Sequence, residues 1–276
     1  LYASALEAGL TASTLINDAP IVFEDEALED KWRPRNASGR FYGPTRLREA
    51  LLQSVNLVSI RLLREIGIER VRNYSQNFGF KLEELNSDLS LALGTASLSP
   101  IENVAAYSVF ANGGKSVQPY FISKIRDRTG NTMFQREDIE IKQVIDARIA
   151  FIIKDILQEA ARRGTAKKVK ELGRGDLAGK TGTTNEAEST WFTGFNESLV
   201  TTVWVGFDQP KSLGNREFGS STALPIWMDF MQPNIDNLPK NKNLPPEGIV
   251  SIKIDKRTGL KAESDSRNSI FEYYLE

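Results

Sequence analysis

Gly179-Lys180-Thr181-Gly182-Thr183-Thr184-Asn185 puts a cation, several hydroxyls and a residue without a side chain on one short extended segment. In a strand, successive side chains alternate, so Thr181 and Thr183 share one face and Lys180 takes the other. Gly182 bares the backbone, as glycines in strands do where a ligand or another chain comes close. Such an edge suits an anionic acyl ligand lying antiparallel along it. The same residues also read as a threonine-rich hairpin with a chance lysine, because short motifs often match by accident. Downstream, residues 188–195 and 199–207 are rich in β-branched and aromatic residues, with the turn-like Asn196-Glu197-Ser198 between them. Together these segments predict a three-strand antiparallel meander with the lysine strand outermost.

Composition narrows the chemistry. A chain of 276 residues with 40% hydrophobic content can build one large core or two small ones. Its net charge of -1 gives no general drive toward nucleic acid or an anionic membrane. Cysteine and histidine are both absent, which excludes disulfides, Cys or His metal sites, thiol catalysis and any Ser-His-Asp triad. Acyl-transfer chemistry here therefore needs a lysine or a carboxylate as base. No apolar run reaches the length of a membrane span and no signal peptide opens the chain. Residues 1–8 are helix-forming and end at Gly9, yet lack an N-terminal cap, so the expectation is that the sequence begins inside a helix.

Along the chain, residues 11–43 show little periodicity and are expected to form a long ordered loop. Gly43-Pro44-Thr45 is expected to open a helix, with Leu47, Leu51, Val55, Val58, Leu62 and Ile66 on its buried face. Gln53-Ser54-Val55-Asn56 interrupts that pattern with polar residues, which is either a functional conflict or a break between two helices. Ser99-Pro100-Ile101-Glu102 is a capping box that starts a helix ended by Gly113-Gly114. Residues 120–127 and 132–135 read as a hairpin, and Asp146 caps an amphipathic helix closed by Arg162-Arg163-Gly164. Lys167, Lys168, Lys170 and Arg174 read as a solvated basic loop. Ala223 to Met231 predicts a last helix on the sheet, residues 234–248 a linker, and Val250 to Ile254 with the turn 256–259 a trailing hairpin.

Ser54-Val-Asn56 on helical structure, with Lys180-Thr-Gly182 far downstream on an edge strand, resembles the penicillin-binding proteins and serine β-lactamases. Trp32 to Asn36, Gly43-Pro44, Leu47-Arg48, Ser99-Pro100, residues 107–114, Ala178 to Asn185 and Trp204 to Asp208 are similar to the transpeptidase domain of bifunctional class A penicillin-binding proteins. The likeness runs from Leu1 to about Met231. It departs at one place, because the family's Ser-x-x-Lys motif, which carries the nucleophile and its base, occurs nowhere in these residues.

The resemblance implies an α/β fold of the α+β type, a central antiparallel sheet sandwiched between helices. Residues 1–236 would be a transpeptidase domain lacking its N-terminal portion, and 237–276 a linker and hairpin. It implies D,D-transpeptidation of peptidoglycan through a serine acyl-enzyme, with β-lactams as covalent inhibitors. Ser54 and Lys180 would be catalytic, with Ser54 relaying a proton and Lys180 depressing the pKa of the lysine base. Asn56 would bond the substrate peptide, while Thr181, Gly182 and Thr183 would bind its end, Thr181 and Thr183 taking the terminal carboxylate. The Thr183 amide would donate to the oxyanion. Implied partners are stem peptides ending in D-Ala-D-Ala; no cofactor, metal or nucleic acid is implied, and membrane contact would come only through an anchor outside these residues. The expected location is the periplasmic face of a bacterial inner membrane. The nucleophile is expected within about two turns, about 11 Å of helix rise, upstream of Leu1, so that the start of the first helix aims between Ser54 and Lys180. Two other classes stay open: a D,D-carboxypeptidase or β-lactamase, and a non-catalytic sensor that has lost its nucleophile.

Overall fold

β-branched and aromatic residues along 178–206 build the sheet on which the helices pack. The computed structural model describes residues 1–22, 32–137 and 139–276. Strands β5 (Ala178–Thr183), β6 (Ser189–Phe195) and β7 (Val200–Gly206) pair antiparallel in that order, with β5 on the outside as expected. Register puts Lys180 opposite Thr193 and Gly182 opposite Trp191. One face, carrying Ala178, Phe195 and Val200, packs on helices α1 (Tyr2–Glu7), α5 (Pro100–Ala111) and α6 (Ala147–Arg163). The other, carrying Phe192, Val203 and Val205, packs on α7 (Ala223–Met231), whose Trp227 is fully buried. The sheet is thus sandwiched between helical layers, as the alternating pattern requires.

The two principal caps follow local chemistry. Ser99 and Glu102 close their capping box on α5, and the Asp146 carboxylate accepts from the Arg148 amide at the start of α6.

Several expectations need correction. Residues 11–43 are not all loop: β1 (Leu15–Asp18) pairs antiparallel with β2 (Gly43–Arg46). Pro44 therefore sits in a two-stranded ribbon rather than opening a helix, because pairing with a segment 27 to 29 positions away, Asn17 against Pro44 and Ile16 against Thr45, outweighs the local helix-start signal. At residues 53–56 the structure shows the helix break that is one of the two readings, with α2 (Leu47–Gln53) and α3 (Asn56–Ile66) separated at Ser54 in a left-handed backbone conformation with φ 56°. The apolar period runs on across the break because Leu47, Val55, Val58 and Leu62 bury in the same cluster. The helix α4 (Ile68–Ser75) follows directly.

Arg174 is not part of a solvated loop. It is buried, pairs with Asp176 at 2.7 Å and donates to the carbonyls of Ile235, Leu238 and Pro239, pinning the start of the proline-rich segment. The hairpin at 120–135 is shorter than expected, β3 (Lys124–Arg126) with β4 (Thr132–Gln135). Finally, β8 (Ile249–Asp255) pairs along its length with β9 (Ser269–Leu275), and past the 256–259 turn the chain adds only a short return in which Ile254 bridges Lys261. Tyr273 of β9 stacks edge-on against Phe151 of α6 with centroids 5.1 Å apart.

Candidate active site

The break between α2 and α3 and the outer strand β5 form the two walls of the site. The Ser54 amide donates to Leu51 and the Val55 amide to Ala50, so the chain turns sharply and Ser54 is held at its left-handed angle. Strained backbone of this kind persists where surrounding contacts over-determine it. Asn36 holds the restart of the helix. It is buried, its Oδ1 accepts from the Leu57 amide at 3.2 Å, and its Nδ2 donates to the buried Asp18 carboxylate at 2.9 Å. Asn56, the first residue of α3, donates from Nδ2 to the Arg35 carbonyl at 2.9 Å, which leaves its Oδ1 for an incoming donor.

On the facing wall, the Thr184 amide donates to the Ser189 carbonyl. Alternation in an antiparallel ladder then turns the N–H and C=O of Thr181 and Thr183 toward the open edge of β5. Lys180 bridges the walls: its Nζ donates to Ser54 Oγ at 3.0 Å and to the Thr181 carbonyl at 2.9 Å. Burial pulls its ammonium down to a pKa of about 8. Among the described residues it has no carboxylate partner, so its charge remains available to an anion.

Thr181 and Thr183 lie on the opposite face from Lys180, as alternation predicts. The Thr181 hydroxyl donates to the Thr165 hydroxyl at 2.8 Å, and the Thr183 hydroxyl accepts from the Gly219 amide at 3.0 Å. A Cβ on Gly182 would stand 3.1 Å from that of Trp191, so the bare position also reflects crowding from the neighbouring strand. Leu1 and Tyr2 pack on the cluster of Leu47, Val55 and Val58 beside Ser54, and the Tyr2 hydroxyl bonds Ser59 at 2.9 Å. Among the described residues no group of acidic side chains is placed to hold a metal ion.

The fold thus joins Ser54, Lys180 and Thr181 through hydrogen bonds, with Thr183 two residues further along the same strand and Asn56 two residues on from Ser54. Sequence reasoning passed over Thr165, the Gly219 amide and the Asn36–Asp18 pair. Thr165 follows directly on the Arg162-Arg163-Gly164 helix end, yet only its contact with Thr181, 16 positions away, gives it a meaning.

A cation and hydroxyls on an edge strand therefore face a serine held in strained backbone, an arrangement suited to an anionic acyl ligand. Residues 1–232 match the model of the family described as penicillin binding protein transpeptidase domain, and the chain belongs to that family. It is 43% identical to penicillin-binding protein 1A of Pseudomonas aeruginosa over 99% of its own length and 39% of that protein's. The crystal structure of penicillin-binding protein 1A from Haemophilus influenzae superposes with a TM-score of 0.93 at 36% identity, covering 99% of this chain and 46% of the other. PonA1 from Mycobacterium tuberculosis, solved in complex with penicillin V, shares the fold with a TM-score of 0.73 at 23% identity. The chain spans less than half the length of the first two relatives.

Proposed function

We propose that these residues form most of the active site of a peptidoglycan D,D-transpeptidase that β-lactams inactivate. The observation that carries this is Lys180 Nζ on Ser54 Oγ at 3.0 Å, which joins two motifs 126 positions apart. A serine attacks the carbonyl of the D-Ala-D-Ala bond, the terminal D-Ala leaves with a proton on its amine, and an acceptor amine then displaces the serine to form the cross-link. The lysine base beside the nucleophile must be partly neutral, and the cation of Lys180 nearby favours that. Ser54 passes the proton between them. The outward-facing Thr183 amide donates to the oxyanion, a contact of a kind worth about 3 to 4 kcal/mol when removed. Asn56 Oδ1 accepts from the substrate's peptide N–H, and Lys180, Thr181 and Thr183 hold its carboxylate.

No Ser-x-x-Lys is present in the sequence, so the acylated serine and its lysine are assigned to residues outside these 276. Among the described residues no helix is long and apolar enough to cross a membrane. The periplasmic face of a bacterial inner membrane is proposed from the relatives, with an anchor and a glycosyltransferase domain on the longer protein.

In a longer protein carrying these residues, Lys180→Ala should slow β-lactam acylation about 100-fold or more. Mass spectrometry should find one acylated serine there and none in the 276 residues alone. Acylation at near-wild-type rate in the variant overturns the role given to Lys180. Incubating a D-Ala-D-Ala peptide with and without an amine acceptor separates cross-linking from hydrolysis, and only released acid in both cases means a carboxypeptidase.

A further inference from the structure

Gly164 and Thr165, just past the end of α6, touch both walls of the site. The Thr165 amide donates to the Leu52 carbonyl at 3.3 Å, two residues before Ser54, and the Thr165 hydroxyl accepts from Thr181, the residue after Lys180. The approach is close enough that a Cβ on Gly164 would lie 2.5 Å from that same Leu52 carbonyl oxygen.

A hydroxyl has one proton to give and two lone pairs to offer, whereas a carboxylate only accepts. Thr183 already accepts from the Gly219 amide, so its own proton is free for a ligand carboxylate. Thr181 is in the opposite state, its proton being committed to Thr165. Before Thr181 can donate to a carboxylate, its proton has to turn away from Thr165. The bond between the two threonines then survives only if Thr165 turns its own proton toward the Thr181 oxygen. Threonine and serine can reverse in this way, and valine, which has the same shape, cannot.

We propose that Thr165 is a positioning residue for carboxylate recognition: its hydroxyl holds the Thr181 rotamer and reverses their hydrogen bond when the ligand's carboxylate arrives. This rests on the transpeptidase reading, since it needs Thr181 to meet a carboxylate. One net hydrogen bond is at stake, so the expected effect is about tenfold in recognition.

The test uses the longer, acylating protein and a β-lactam, with the same β-lactam as its carboxylate methyl ester. Thr165→Val should raise the half-saturating concentration for acylation by the free acid about tenfold and leave the saturated rate within about twofold. Thr165→Ser should restore the wild-type value. Toward the methyl ester, which offers no carboxylate, Thr165→Val and wild type should acylate alike. A purely structural role predicts equal losses with acid and ester, and that result overturns the proposal. If Thr165→Val acylates as wild type does while Lys180→Ala does not, the proposal falls and the transpeptidase reading stands. If both variants acylate as wild type does, both fall.

Discussion

Ser54 carries two separable costs, one in its backbone and one in its hydroxyl. A left-handed conformation costs a residue with a Cβ about 1 kcal/mol that glycine does not incur. Ser54 keeps that angle while its Oγ accepts from Lys180, so strain and the proposed proton relay sit on the same residue. Ser54→Gly and Ser54→Ala both remove the hydroxyl, and both should abolish most acylation in the longer protein. Denaturant unfolding should nevertheless find the glycine variant about 1 kcal/mol more stable than the alanine variant, because only the backbone term differs between them. Equal stabilities mean that the turn, not the residue type, relaxes the angle. Lys180 shows a related balance: burial lowers its pKa to about 8, and among the described residues no carboxylate neutralises it.

Elements hold these residues through packing that tolerates little added volume. Strand β6 joins the lysine strand to α7, and at Gly194 the indole of Trp227 comes so close that an added Cβ would lie 2.4 Å from its ring. Phe192 stands edge-on to the same indole at 5.0 Å and would meet that Cβ at 2.7 Å. Neither ring has room to withdraw, since both are fully buried. Gly194→Ala should therefore destabilise the fold by about 3 kcal/mol, read as a lowered melting temperature. The strain should also reach the site, because Gly194 pairs with Gly179, next to Lys180. A variant that melts like wild type shows that α7 can slide on the sheet. The amphipathic pattern of α6 and the β-branched and aromatic content of β6 and β7 were plain in the sequence, since each depends only on residues within the same element. The closeness of Gly194 to Trp227 was not, because it joins two elements 33 positions apart.

Across the whole molecule, one buried ion-pair system ties the trailing hairpin to the helices behind the site. Glu272 on β9 is fully buried and receives Arg48 of α2 through its Nε at 2.8 Å. Arg48 also meets Asp155 at 2.8 Å and Glu159 at 2.9 Å on α6. Arg46 lies 3.6 Å from Glu272 as well, so removing that carboxylate leaves two buried guanidinium groups short of a partner. Breaking one side of a buried pair is far more costly than never having it, and Glu272→Ala should lose about 3 kcal/mol of stability by denaturant unfolding. A loss below about 1 kcal/mol would mean that Asp155 and Glu159 suffice for Arg48.

By itself the sequence determined the meander, the outermost place of the lysine strand, the caps of α5 and α6, and the opposite facing of Lys180 from Thr181 and Thr183. All of these follow from periods of two or of three to four residues, or from caps spanning three positions. Family resemblance added the roles of Ser54 and Asn56, which pattern alone left divided between function and a helix break. Tertiary structure decided the β1–β2 ribbon, the left-handed turn at Ser54, the 3.0 Å bond from Lys180, the place of Thr165 and the burial of Glu272 against Arg48. Apart from the turn at Ser54, which local bonds to Leu51 and Ala50 hold, each depends on closing a stretch of chain, 224 positions for Arg48 and Glu272. The energy of such a contact comes from burial and partners that exist only after closure, so no local pattern carries it.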